Sequence, residues 1–201
     1  NEKYPQACVA IAYDSRIKSD LFAREAASVL AGNGIRVQIF PELVPTPCLS
    51  FAVRRLKCQS GIIITASHNP SKYNGYKCYG PKGFQMTDED AAKVYEHIQQ
   101  VDIFSGVKKT TFEEGLEKGL ITYIQPWLME EFLDRVQEQS VNPSLAAQSG
   151  LKVIYTPLNG TGNKPVRAIL DRIGIKDVTV VKEQEKPDGT FPTCPFPNPE
   201  I

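Results

Sequence analysis

The sequence predicts an α/β protein of two domains, each with a largely parallel sheet covered by helices. Short apolar, β-branched segments alternate with longer segments whose apolar residues recur at helical spacing, a pattern typical of parallel strands joined by crossover helices. This alternation occurs twice in the 201 residues. Between the two series, from Val101 to Gly119, the apolar rhythm is lost, so we place the domains at residues 1–118 and 119–201.

The first series begins with a strand that Asp14-Ser15-Arg16 closes. Asp20 is expected to cap the first helix, and Thr46 with Pro47 supplies a cap and a first-turn proline for the second. The predicted strands are residues 8–13, 35–40, 61–65 and 76–79 with a return through 84–85, and the predicted helices are residues 20–30, 46–56 and 87–98.

Thr87-Asp88-Glu89-Asp90 opens the last helix of this domain. We interpret Thr87 and Asp90 as capping residues, because carboxylates in a first turn are stabilised by the helix dipole. The alternative is a metal-binding Asp-x-Asp pair. His97, further along the helix, is interpreted as a structural or surface residue.

The second series predicts a helix over residues 122–139, strands over 151–155 and 178–181, and a helix over 164–173 between them. The expected buried side of the first helix comprises Trp127, Leu128, Phe132, Leu133 and Val136. Residues 186–201 contain five prolines and cannot hold an interior helix or a central strand, so an extended connector is expected.

Composition narrows the function classes. Lysine plus arginine and aspartate plus glutamate number 23 each, so no net field favours nucleic acid or an anionic membrane. No apolar run approaches the roughly 20 residues that a membrane span needs. The five cysteines are odd in number and lack a Cys-x-x-Cys pair, which favours free thiols in a cytoplasmic protein over a disulfide or zinc framework.

The strand over residues 61–65 leads directly into Ala66-Ser67-His68-Asn69-Pro70, and Lys77 follows shortly after. The carboxyl end of a buried strand is where open α/β sheets place ligand sites. His68 offers a proton acceptor near neutral pH, Lys77 a positive charge, and Asn69 with loop amides hydrogen bonds to an anion. This group suits a phosphoryl group better than an acyl group.

Two other interpretations of Ser67 are open at this point. The Ser-His-Asn-Pro segment is also typical of a turn whose short polar side chains bond their own backbone. A hydrolase nucleophile elbow is disfavoured, because Ala66 and His68 flank Ser67 where that motif has Gly-x-Ser-x-Gly.

The loop closely resembles the active-site serine loop of the α-D-phosphohexomutases, the phosphoglucomutase and phosphomannomutase family. Matching motifs occur in the family's order and spacing over essentially the whole chain. They are residues 65–70, 73–77, 13–16, 159–162, 187–192 and 197–200. The resemblance implies two three-layer αβα domains, the first carrying the phosphoserine loop.

The resemblance also implies a reaction: reversible phosphate transfer between the C1 and C6 oxygens of a hexose, through a phosphoserine at Ser67 and a hexose bisphosphate. The same resemblance implies that Ser67, His68 and Lys77 are catalytic. It also implies that Asn69 and Arg16 bind phosphate and that the Ser67 phosphate ligates Mg²⁺. A structural arginine paired with Asp14 is the alternative for Arg16. The 159–162 segment either cradles phosphate or is a plain strand-to-helix turn, which we favour.

The resemblance covers two of the family's four domains. The acidic magnesium loop, the sugar-selecting loop and the phosphate loop of domains III and IV are not found in these residues. The expectation is a fragment that is nearly inactive alone, whose parent is a cytoplasmic, Mg²⁺-dependent mutase activated by a hexose bisphosphate, with sugar phosphates as its partners. A non-catalytic sugar-phosphate-binding or regulatory module on the same scaffold is the alternative.

Overall fold

The structure is a computed structural model that describes residues 7–194 and 198. The chain divides into two compact units. The first unit is formed by the described residues up to Tyr13 together with Lys18–Thr65 and Gly75–Ile124. The second is formed by Asp14–Ile17, Ala66–Asn74 and the described residues from Gln125 onward.

The first unit is built on a five-stranded mixed sheet in the order β4-β3-β1-β2-β5. Its strands are β1 (Cys8–Tyr13), β2 (Arg36–Ile39), β3 (Ser60–Ile64), β4 (Tyr76–Tyr79) and β5 (Ile121–Tyr123). Every pairing is parallel except that of β4, which runs antiparallel to β3 at the edge. Because β1 and β3 are parallel neighbours, their carboxyl ends lie side by side, and the chain leaves both strands at the same end of the sheet.

Helices cover both faces of this sheet. They are α1 (Ser19–Gly32), α2 (Thr46–Arg55) and α4 (Phe112–Glu117); the unit also contains α3 (Asp88–Gln99), none of whose residues is buried. On one face α1 presents Ala23, Ala27 and Ala31 to the buried strand residues, and Phe112 of α4 joins the same cluster. On the other face a side chain at Gly61 would meet Leu49 and Val53 of α2, so this helix packs directly on the strand backbone. The αβα layering that the sequence predicted is confirmed in this unit.

The second unit contains a parallel pair of strands, β6 (Lys152–Tyr155) and β7 (Asp177–Val180), within the described residues. Its helices are α5 (Trp127–Gln137), α6 (Pro143–Gln148), α7 (Asn163–Arg172) and α8 (Lys182–Glu185). Helices α5 and α7 pack together, and Arg172 of α7 forms ion pairs with Glu130 and Asp134 of α5.

Two of the three predicted helix caps in the first unit were wrong. Lys18, in a left-handed conformation, precedes α1, so Asp20 lies in the first turn instead of capping the helix. Helix α2 begins at Thr46 and has Pro47 in its first turn, both as predicted, but Pro45 and not Thr46 occupies the cap position. The cap prediction for α3 is confirmed, since the Thr87 side chain accepts a hydrogen bond from the Asp90 amide.

The region from Val101 to Gly119 was expected to be irregular, but it contains α4, which begins with a capping box of Thr111 and Glu114. Residues 121–123 form an edge strand, whereas a helix was predicted from 122; the true helix begins at Trp127. Trp127 and Val136 are 45% and 39% exposed, so the predicted buried side of that helix is reduced to Leu128 and Leu133, with Phe132 half-buried.

Strand β5, in the segment where the domain boundary was predicted, belongs to the first unit. It pairs with β2 and lies in the first compact unit, which extends to Ile124. The domain boundary after residue 118 stays a prediction. None of the five cysteines forms a disulfide, and within residues 7–194 no helix has the length and apolarity to cross a bilayer.

Candidate active site

Ser67 is presented on the loop that follows β3. Its backbone is left-handed, with φ of 56°, and the residue is exposed. A non-glycine residue pays roughly 1–2 kcal/mol for this conformation, so it persists only where the surrounding contacts determine it. Immediately before it the chain is still buried, at Thr65 and Ala66. A buried strand end therefore leads into a strained, exposed serine.

His68 lies beside the Ser67 hydroxyl. Its Nδ1 is 3.3 Å from the Ser67 Oγ, and both residues are exposed. Either atom can be the donor, depending on the tautomer of the ring. The geometry allows the imidazole to accept the proton of Ser67 or to hydrogen-bond an oxygen attached to it.

Arg16 holds the serine loop, residues 66–74, through hydrogen bonds to its backbone. Its Nη1 donates to the carbonyl oxygens of Pro70 at 3.0 Å and Tyr73 at 2.8 Å. Its Nη2 donates to those of Ser67 at 3.0 Å and Asn69 at 2.5 Å. One guanidinium thus fixes four carbonyls of the loop that carries the serine. They cannot turn toward an anion at Ser67 without breaking these bonds.

The Arg16 side chain is almost completely buried, with 1% of its surface exposed. Its Nε lies 3.5 Å from Oδ2 of Asp14, an ion pair too long and poorly aligned to be a good hydrogen bond. Burial lowers the pKa of Arg16, and the Asp14 carboxylate opposes that shift. Asp14 also accepts a hydrogen bond from the Arg16 amide at 2.9 Å, which fixes the backbone of the short loop after β1.

Arg16 therefore has the position of a structural arginine. Its Nη atoms are directed at loop carbonyls, and its role as a phosphate ligand stays a prediction. The sequence did signal the Asp14 partner, because an Asp-x-Arg segment follows the strand directly. Nothing in it signalled that the guanidinium would reach carbonyls more than 50 residues away.

The other predicted site residues occupy two places. Asn69 is exposed in the serine loop, where its amide donates to the Ala66 carbonyl at 3.1 Å and its own carbonyl accepts from Arg16. Lys77 lies in β4 of the first unit, half-buried and opposite Ile63 of β3. Ser67, His68, Asn69 and Arg16 all lie in the second unit.

Comparisons with known proteins identify the family. The sequence model for the phosphoglucomutase/phosphomannomutase alpha/beta/alpha domain I matches residues 1–103, and that for domain II matches residues 130–201. The chain belongs to the phosphoglucomutase/phosphomannomutase family. The two matches also leave residues 104–129 between them, the stretch in which the sequence placed its domain boundary.

Relatives agree with this assignment. A phosphoglucomutase of Staphylococcus saprophyticus is 40% identical over 100% of this chain and 36% of its own length. A Haemophilus influenzae protein described as "Probable phosphomannomutase" is 31% identical over 96% of this chain and 38% of its own length. A crystal structure of a putative phosphomannomutase from Thermus thermophilus matches with a TM-score of 0.77 and 26% identity, covering 94% of this chain and 40% of that one. The chain thus spans little more than a third of the length of these family members.

Two further family motifs can be placed. In the 159–162 segment, Asn159 is 3% exposed and donates through its side chain to the carbonyls of Glu183 and Lys186 at 3.2 and 3.0 Å. These contacts are those of a structural turn ahead of α7, as the sequence favoured. In the last motif, residues 197, 199 and 200 lie outside the described residues. Within the described chain, no group of three or more His, Cys, Asp or Glu side chains is arranged to hold a metal ion.

Proposed function

We propose that the complete protein containing this chain is a phosphohexomutase, which interconverts hexose 1-phosphate and hexose 6-phosphate, and that Ser67 carries the phosphate. The observation that carries the proposal is the exposed, left-handed Ser67 beside His68 on a loop fixed by a buried arginine. Family membership gives this geometry its context. The relatives named phosphoglucomutase and phosphomannomutase support the reaction class.

In the proposed cycle the bond between phosphorus and the Ser67 oxygen breaks, while the oxygen of a sugar hydroxyl forms a new bond to the same phosphorus. The sugar proton passes to a base, and the Ser67 oxygen leaves as an alkoxide that takes up a proton. The resulting hexose bisphosphate reorients and returns its other phosphate to Ser67. Such transfers depend mostly on positioning and charge stabilisation. A fixed loop backbone therefore contributes directly to the rate.

His68 is the residue placed to exchange the proton at the Ser67 oxygen, given its 3.3 Å separation. Lys77 and Asn69 are proposed to orient the phosphate, on the strength of the family motif alone. Phosphorylation adds roughly 1.5 to 2 negative charges at neutral pH. If Mg²⁺ were bound there, it would neutralise part of this charge, with the Ser67 phosphate as one oxygen ligand and residues elsewhere in the complete protein as the others.

The test uses the complete protein with Mg²⁺ and glucose 1,6-bisphosphate. We expect conversion of glucose 1-phosphate to glucose 6-phosphate, and intact mass spectrometry should show one phosphate that peptide mapping assigns to Ser67. Ser67→Ala should lose both signals. The matched control is Ser71→Ala, which removes a hydroxyl from the same loop and should leave both intact. A fully active Ser67→Ala protein would refute Ser67 as the phosphate carrier. A complete protein that acquires no phosphate and converts no glucose 1-phosphate would support a non-catalytic sugar-phosphate-binding module instead.

The separated 201-residue chain is a second test object. We expect it to be folded yet nearly inactive, because the described residues provide no carboxylate cluster to compensate the phosphate charge. Robust turnover by the purified chain under the same conditions would contradict this part of the proposal. Cytoplasmic location stays a prediction.

A further inference from the structure

The proline-rich segment after α8 is more than a connector, because residues near both of its ends are hydrogen-bonded to Asn159. The amide of Asp188 donates to the Asn159 carbonyl oxygen at 2.9 Å, and the Thr193 hydroxyl donates to the Asn159 side-chain oxygen at 3.0 Å. Asn159 is itself buried, so these bonds are shielded from competing water. The segment Asp188–Thr193 is therefore a closed, anchored turn.

Inside the turn, Asp188 sets the position of an aromatic ring. Its Oδ1 accepts hydrogen bonds from the amide and the hydroxyl of Thr190 at 2.8 and 2.7 Å, and its carbonyl accepts one from the Phe191 amide at 3.1 Å. Phe191 has φ of 49°, a value that is rare for a bulky side chain. The residue is nevertheless buried, with only 6% of its surface exposed. The local hydrogen bonds hold the strained backbone that places the ring there.

The turn packs on the short loop that contains Arg16. The Arg16 guanidinium carbon lies 5.3 Å from the centroid of the Phe191 ring. A side chain at Gly189 would come within 2.8 Å of the Ser15 carbonyl oxygen and 2.9 Å of the Arg16 carbonyl carbon, so the two backbones are in contact. An arginine over a desolvated aromatic ring is held more strongly than one in water.

We propose that Phe191 is a positioning residue for the serine loop, acting through Arg16. The turn Asp188–Thr193 forms one side of the arginine's surroundings, and the carbonyls of the serine loop form another. A guanidinium held between the ring and the carbonyls has little freedom, and one of those carbonyls belongs to Ser67 itself. Loosening the ring therefore displaces the backbone of the residue proposed to carry phosphate.

The first readout is independent of catalysis. In the complete protein, amide hydrogen exchange is measured at Asn69 and Tyr73, whose amides are hydrogen-bonded within the serine loop. Phe191→Leu should accelerate their exchange about tenfold, the size of effect expected for a desolvated cation–π contact. Phe191→Tyr keeps the ring and should restore slow exchange. If Phe191→Leu does not fold, Gly189→Ala tests the same contact through the backbone.

A matched control comes from the first unit. Phe112 is likewise buried and lies under an arginine, with the Arg24 guanidinium carbon 4.6 Å from its ring centroid. Phe112→Leu removes the same atoms from a comparable pair. It should leave exchange at Asn69 and Tyr73 unchanged. Equal acceleration by both leucine variants, or none by Phe191→Leu, would overturn the proposal.

The second readout rests on the proposed function. Phe191→Leu should lower kcat about tenfold and change KM less than about twofold, because the ring acts through the loop backbone and not through the substrate. Its effect should largely disappear in an Arg16→Lys background, since both changes act on one contact. If Ser67 proves not to carry phosphate while the exchange result holds, the mutase proposal fails and the positioning inference stands. If Ser67 is phosphorylated normally but the effects of Phe191→Leu and Arg16→Lys are fully additive and amide exchange is unchanged, the positioning inference fails and the mutase proposal stands.

Discussion

Replacing Arg16 with lysine separates the charge of this side chain from its shape. Both residues are cationic, but the guanidinium is a planar fork whereas the ammonium is a single nitrogen with three donors. In the structure two guanidinium nitrogens serve two carbonyls each. An ammonium in the same cavity has too few donors for all four oxygens. Arg16→Lys therefore leaves one or two of the carbonyls without a donor.

The expected cost follows from that count. A buried polar group without its hydrogen bond costs about 1–3 kcal/mol, so Arg16→Lys should lower the free energy of unfolding by about 2–4 kcal/mol. This is a large share of the roughly 5–15 kcal/mol that stabilises a typical domain. The site is buried, so solvent screening does not reduce the effect.

Urea unfolding of the 201-residue chain measures this loss. Trp127, the single tryptophan, lies in α5 of the same unit as Arg16, so its fluorescence reports that unit. The midpoint should fall by about 1–2 M urea. Arg54→Lys is the control, because Arg54 is exposed and its Nε makes a long, 3.4 Å contact with the Ser50 carbonyl. Its effect should stay within about 0.5 kcal/mol. An Arg16→Lys chain as stable as the Arg54→Lys chain would refute the reasoning.

Three further predictions concern the first unit. Gly115→Ala should destabilise the chain by about 1–3 kcal/mol in denaturant unfolding, because the added carbon would lie against the buried Ile121 side chain, 2.8 Å from its Cγ1, while Gly80→Ala, which meets nothing within 4 Å, should be neutral. Thr111→Ala removes the capping box of α4 and should cost about 1 kcal/mol in the same assay; a loss no larger than that of an exposed helix substitution such as Glu113→Ala would show that the box is not formed. Burial raises the pKa of Cys48 to about 12. As the pH rises above the ordinary pKa of a thiol, Cys48 therefore ionises in the unfolded chain before it ionises in the folded one. The free energy of unfolding falls as a result, until the pH reaches about 12. Between about pH 8 and pH 10.5 this group should account for about 2 kcal/mol of the decline, and Cys48→Ala should show a correspondingly shallower slope; equal slopes in the two proteins would contradict the shift.

The sequence predicted the first sheet well because its central strands, β1 and β3, are buried and apolar. β1 and β4 begin and end at the predicted residues, and β2 and β3 differ from prediction by a single position at each end. Apolar β-branched runs between glycine and polar residues leave little choice there. The prediction failed at residues 101–126, where α4 is only six residues long and β5 only three. Such short elements show no full period of their pattern, and long-range pairing with β2 decides their structure.

The sequence could single out the serine loop as a candidate site, but not the contacts that support the loop. The serine loop could be found because its residues are contiguous in sequence. The support for that loop comes from Arg16, 51 residues before Ser67, and from Phe191, far beyond it. No local pattern announces a contact between an arginine after one strand and an aromatic residue in a proline-rich turn. Both became visible only when tertiary packing brought the loops together.

This arrangement suits a serine that alternates between neutral and phosphorylated forms. Phosphorylation would change the local charge by roughly two units, and a loop held only by exposed polar contacts would rearrange each time. Arg16 is buried, stays charged in both forms, and binds carbonyl oxygens that are unchanged by the chemistry at the Ser67 hydroxyl. The contacts that fix the loop are thereby separated from the group that reacts. In the proposed cycle, a backbone held in this way would keep the left-handed Ser67 conformation, so that each transfer would start from the same geometry.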